Sequence, residues 1–188
     1  MSRFVTPVLV VVSIIAFASA DGQASRKFTL MSTDVHQGQK IANQFAFNGM
    51  GCTGTNQSPA LSWSGAPAKT KSYAVTMYDP DAPTGSGWWH WVAYNIPANV
   101  TKLDAGAGDP SRHLMPAGAV EGNNDAGMPG YMGPCPPVGD KAHHYHITVF
   151  ALDTDKIDVP ANATAAYVGF NLHAHTLAKA EITALYNR

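Results

Sequence analysis

The stretch Tyr78–Asn95, YDPDAPTGSGWWHWVAYN, constrains this chain more than any other. Upstream of it, Ser72 to Tyr78 is a run of β-branched and aromatic residues that reads as a strand ending at Asp79-Pro80. Downstream, Trp88 to Ile96 reads as a second strand, stopped by Pro97. Between them, Pro80 and Pro83 each fix their own φ and bias the preceding residue towards extended backbone. Two carboxylates, Asp79 and Asp81, are therefore held in a rigid turn that runs into a tryptophan-rich strand carrying His90. Such a turn is poorly suited to a core and well suited to a pocket that reads a small polar group.

The remaining strong signals are also of β type. His143–Leu152, HHYHITVFAL, is a third strand, in which alternation sets His143, Tyr145, Ile147 and Val149 on one face and His144, His146, Thr148 and Phe150 on the other. Ser58 to Trp63 reads as a turn feeding a short strand. Residues 104–140 form a long connection dense in Gly, Pro, Asn and Asp, a length usually functional or ordered by packing. From Ala163 onward the apolar spacing predicts one or two amphipathic helices, broken near Asn171 to His173. The expected architecture is a largely antiparallel β domain with a short helical end.

With 188 residues, 45% of them hydrophobic, the chain suits one globular domain with a sizeable core. Thirteen acidic and 12 basic residues leave a formal charge of -1 and no basic stripe, which speaks against a nucleic-acid partner. Residues 1–20 carry a positive start at Arg3, an apolar stretch from Val5 to Phe17, and an Ala18-Ser19-Ala20 cleavage signal. They are expected to be a signal peptide, leaving residues 21–188 as a single periplasmic or secreted domain without a membrane span. An uncleaved anchor is the alternative.

Export gives meaning to the two cysteines. Cys52 and Cys135 are the only possible pair, and an oxidising compartment favours a bond between them over two buried thiols. Closing a loop of roughly 80 residues would stabilise the fold by about 4–5 kcal/mol on the chain-entropy account. Three N-x-S/T sequons, at Asn56, Asn99 and Asn162, matter only in a glycosylating host.

The chemistry-bearing residues fall into three groups. An adjacent turn carboxylate can orient His90 or hold it as imidazolium, a good donor to a phosphate oxygen. The glycine-rich run through Gly130-Tyr131-Met132-Gly133-Pro134-Cys135-Pro136-Pro137 can present backbone N–H groups to an anion, with the prolines stiffening that wall. His143, His144 and His146 offer imidazoles, but alternation splits them between two faces.

Taken together, DPDAP, WHWVAYN, GPCPP, HHYHITVFALD, the Asn56-x-Ser58-Pro59-x-Leu61-x-Trp63 segment and the terminal HxLAxAE resemble the phosphatidylethanolamine-binding protein family, in its bacterial Raf-kinase-inhibitor-like branch. The resemblance runs from about Phe28 to the end. It implies a β-sandwich-like fold with a large central antiparallel sheet, a smaller sheet and peripheral C-terminal helices. It also implies a small surface pocket for phosphate-like anions or phospholipid headgroups. By matching positions, that pocket would be formed by Asp79, Asp81, Pro83, His90, Gly133, Pro134, His143 and Tyr145. One position departs from the pattern: the arginine expected between the histidine and tyrosine of the third strand is His144 here.

The function expected is therefore a binding protein, not an enzyme, in which His90, His143 and Tyr145 donate to an anion. Asp79 would orient the histidines, with His90 its main partner, and Asp81 would hold the turn. No cofactor and no metal are expected. A protein partner is possible, and lipid binding is an expectation of the family. The competing readings are a phosphoester hydrolase using the Asp/His pair and a histidine-based metal site.

Overall fold

The computed structural model describes residues 27–188, together with Met1; the expected signal peptide lies outside the described residues. Among the described residues, eight strands and one α-helix follow in order: β1 (Thr29–Met31), β2 (Leu61–Ser64), β3 (Ser72–Asp79), β4 (Trp88–Pro97), β5 (Lys102–Leu103), β6 (Val120–Glu121), β7 (His143–Leu152), α1 (Ala165–His175) and β8 (Thr176–Tyr186). They form a five-stranded sheet in the order β6-β4-β3-β7-β8 and a three-stranded sheet in the order β1-β2-β5. All strand pairs are antiparallel. The expected mainly-β architecture, with a larger and a smaller sheet, is what the chain adopts.

The central strand β3 is buried along nearly its whole length because both faces of the large sheet are covered. Tyr73, Val75 and Met77 join Trp91, Tyr145, Ile147 and Val149 in a core shared with Leu61, Trp63 and Leu103 of the small sheet. On the opposite face, Ala74, Val92, Tyr94 and Leu152 pack against Ala165, Val168 and Leu172 of α1. The three helical residues recur at the spacing of one helix face, and Thr164 caps the helix by accepting from the Tyr167 N–H. Asn95, at φ 58°, marks a bulge in β4 that turns Ile96 to the same core as Trp91 and Ala93.

One sequence expectation fails at the C-terminus. Residues 165–175 are helical, but 176–186 form β8, paired with β7 from His143↔Tyr186 to Leu152↔Thr176. Ile182, Ala184 and Tyr186 face the core, alternating with Thr183 and Leu185. The segment TLAKAEITALY is rich in good helix formers, which hides its period of two. Ten paired positions beside a long buried strand override that local preference.

Candidate functional site

One end of the large sheet gathers the singled-out residues. Asp79 is the last residue of β3, His90 lies near the start of β4, and His143 and Tyr145 open β7. The turn between β3 and β4 is shaped as its prolines dictate. The Asp81 N–H donates to Asp79 Oδ1 at 2.9 Å, and the Tyr78 hydroxyl donates to the Ser86 carbonyl at 2.8 Å. Gly87 closes it at φ 69°, where a Cβ would meet the Tyr78 ring and the Asp79 carbonyl.

Asp79 serves His143 and not His90. Its Oδ2 accepts from His143 Nδ1 at 2.8 Å, and His143 Nε2 lies 3.4 Å from Asp140 Oδ2. Burial by itself would lower the His143 pKa, but the hydrogen bond and charge of Asp79, then Asp140, outweigh it and leave the value above the ordinary one. Both ring nitrogens are thus committed to carboxylates. Tyr145 is fully buried, its ring 5.2 Å from that of His90 and 6.4 Å from that of His143. Burial first, and the Asp79 charge second, push its phenol well up, so it remains an O–H group.

His90 takes a backbone partner. Its Nδ1 is 2.8 Å from the Met132 carbonyl, which can only accept, so Nδ1 carries the proton. Burial pulls its pKa down to about 4, against the opposing pull of the Met132 carbonyl, the Asp79 charge and the Gly133 backbone. Of the two states the sequence left open for His90, an oriented ring or an imidazolium, burial and the Met132 carbonyl favour the oriented neutral ring.

The Asp81 carboxylate takes a different histidine. Its Oδ2 accepts from the His144 N–H at 2.8 Å and from His144 Nδ1 at 2.7 Å, so the residue that departs from the family pattern ties the turn to β7. His146 pairs separately with Glu181 at 2.8 Å, and the two outward histidines do not converge on a common point. Gly133 and Pro134 build wall. The Gly133 N–H donates to Asn56 Oδ1 at 2.7 Å, the Pro134 carbonyl accepts from Phe47, and a Cβ on Gly133 would overlap the backbone of residues 45–47.

Beside these residues opens a cavity of about 240 Å³, lined by Pro83, Trp88, His90, Met132, Cys135 and Arg188, with Met50 and Pro137 also on its wall. Cys52 and Cys135 form a disulfide with Cα atoms 5.9 Å apart, joining the two loops that flank it. Arg188 braces the same loops. Its Nε donates to the Pro136 carbonyl at 2.6 Å, Nη1 to Gly51 at 2.8 Å and Nη2 to Met50 at 3.3 Å. A guanidinium carries five N–H donors, of which these three bonds use three. Of the expected pocket residues, Pro83 and His90 line this cavity, Gly133 and Pro134 support its wall, and Asp79, His143 and Tyr145 lie in the layer behind.

The phosphatidylethanolamine-binding protein family profile matches residues 31–187. The chain belongs to that family. It is 50% identical over 178 residues to Escherichia coli UPF0098 protein YbcL, covering 95% of this chain and 97% of the relative. It is also 50% identical over 158 residues to E. coli UPF0098 protein YbhB, covering 84% and 99%. The crystal structure of E. coli YbcL, described as a member of the mammalian family, superposes with a TM-score of 0.85 at 51% identity, covering 87% of this chain and 99% of the other.

Within this family frame, sequence reading missed two residues that organise the cavity. Arg188 had no local signal, because only the course of β8 beside β7 carries the chain end to the Cys52–Cys135 loops. Asn56 was visible as part of a segment, but not as the clamp that binds the Tyr131 carbonyl through Nδ2 and the Gly133 N–H through Oδ1. Its φ of 54° is one that asparagine tolerates better than most residues.

Proposed function

We propose that this chain is an exported binding protein whose cavity takes a small phosphate-like anion or phosphorylated headgroup. The observation that carries the reading is Arg188, a permanently charged guanidinium held by three carbonyls at the wall of a 240 Å³ cavity beside His90. A fixed cation with N–H donors matches an oxyanion in charge and geometry. The volume suits a headgroup-sized guest. Export is supported by the leader-like residues 1–20 and by the disulfide, which an oxidising compartment favours. Among the described residues, no helix is long and apolar enough to cross a membrane.

Binding is favoured over turnover by the state of the reactive groups. The cysteine on the cavity wall is oxidised, and His143 has both nitrogens engaged by carboxylates. A bound anion could in turn present this face to a partner protein. The test is titration with inorganic phosphate and with phosphoethanolamine, followed by amide and histidine NMR signals. Saturable shifts at His90 and at the amides of Met132, Gly133 and Cys135, weakened about tenfold or more in R188Q, are the expected result. Unmoved spectra at millimolar ligand would reject the anion pocket. Export is tested separately by the mass of protein recovered outside the cytoplasm, expected to begin near Asp21.

A further inference from the structure

The donor and acceptor pattern of the cavity says more than its charge does. The Met132 carbonyl fixes the proton of His90 on Nδ1, 2.8 Å away. The other nitrogen, Nε2, then presents a lone pair, with the Gly133 backbone also close to the ring. His90 lines the cavity together with Met132 and Arg188. The groups near the ring come from two neighbouring strands and the 132–133 backbone, with Asp79 on β3 and His143 and Tyr145 on β7, while Arg188 after β8 shares the cavity wall. Burial opposes a second proton on His90 most strongly, the Met132 carbonyl, Asp79 and the Gly133 backbone favour it, and His143 opposes it. The ring stays neutral around pH 5 to 8. The wall thus combines one fixed cation and one fixed acceptor.

An oxyanion without a proton meets that acceptor lone pair to lone pair. An oxyanion that keeps one O–H can donate it to His90 Nε2 while its charged oxygens face Arg188. We infer that the cavity selects a protonated oxyanion, namely a phosphate monoester monoanion or hydrogen phosphate, over sulfate and over phosphodiesters. This rests on the anion-pocket reading and narrows it, since the phosphodiester of an intact phospholipid headgroup lacks the required proton. Leaving a buried acceptor unmet and facing it with a second lone pair is enough for at least tenfold discrimination.

The experiment measures binding of methyl phosphate, inorganic phosphate, dimethyl phosphate and sulfate to the mature protein at pH 5.5 by calorimetry, with histidine ¹⁵N signals recorded alongside. Methyl phosphate and inorganic phosphate are expected to bind at least tenfold more tightly than the other two. Affinity for methyl phosphate should fall as pH rises past about 6, where a phosphomonoester loses its second proton. His90 should keep its single Nδ1 proton throughout. The R188Q variant should weaken all four ligands while preserving their ratio, which separates charge from proton recognition without perturbing the buried ring. Equal binding of dimethyl phosphate or sulfate, or a doubly protonated His90 in the complex, overturns the selectivity and leaves the anion pocket standing. Failure of all four to bind overturns both.

Discussion

Asp79 Oδ2 and His143 Nδ1 lie 2.8 Å apart, with their side chains only 3% and 5% exposed. The pair joins β3 to β7 behind the cavity, and its charged form is held by the raised pKa of His143. The native state keeps this proton to higher pH than the unfolded chain does. The stabilisation is therefore complete below the ordinary histidine value of 6.5 and is lost as pH rises through the folded value. Asp79→Asn keeps an acceptor for the Asp81 N–H and removes the charge. It should cost about 3 kcal/mol at pH 5.5, since it strands a buried cation. The cost should shrink steadily towards pH 9 in urea unfolding, and a pH-independent difference would show that the pair is not ionic.

Glu121 has the same sign over a lower pH window. Its Oε2 accepts from Trp91 Nε1 at 2.9 Å, while Oε1 is buried without a partner among the described residues. Burial raises its pKa to about 7; the Trp91 bond works against the shift and the Asp109 charge adds to it. The folded protein then holds a proton that the unfolded chain releases between pH 4.5 and about 7. Stability should decline across that window by about 3 kcal/mol through this one group. Glu121→Gln removes the titration, so its stability relative to the parent should climb between pH 5 and pH 8. Parallel pH profiles for the two proteins would reject the assignment.

Gly133 owes its identity to close approach. A Cβ there would sit 2.5 Å from the Ala46 carbonyl carbon and 2.5 Å from the Phe47 nitrogen, both backbone atoms that cannot swing aside. Gly133→Ala should destabilise by about 1–3 kcal/mol through overpacking and pull its N–H off Asn56 Oδ1. Thermal unfolding measures the loss, and anion affinity should fall with it. An unchanged melting temperature would mean that the wall and residues 45–47 are not in this contact.

Much of this was legible before any coordinates. The strands Ser72–Asp79, Trp88–Pro97 and His143–Leu152 announce themselves because each is a run of β-branched and aromatic residues ended by Pro, Gly or Asp. The inward set on β7, from His143 to Val149, follows from the period of two alone. Illegible were the choices decided by competition across space. Asp79 had two histidines within reach of its strand end, and no local pattern says that His143 wins it while a carbonyl takes His90. The terminal strand was masked by helix-forming alanines, and with it the position of Arg188. His144 stands where the family pattern has arginine, and the sequence alone names no partner for it. In the fold it makes an exposed pair with Asp81, of a kind contributing at most about 1 kcal/mol.

Two tethers hold the loops that flank the cavity, the Cys52–Cys135 bond and the Arg188 guanidinium, and they act on the same backbone. The disulfide closes a long loop, with the cysteines 83 positions apart, so replacing both by serine should cost up to about 4 kcal/mol. Arg188→Gln removes two or three hydrogen bonds to carbonyls, an effect of about 1–3 kcal/mol. If the loops behave as one unit, freeing them from the disulfide lets them fray and leaves Arg188 less to hold. The triple variant should then be less destabilised than the separate losses added together, by 0.5 kcal/mol or more. Urea unfolding of the parent, C52S/C135S, R188Q and C52S/C135S/R188Q completes the cycle. Strict additivity would make the two tethers independent, and a loss greater than the sum would make each a reserve for the other.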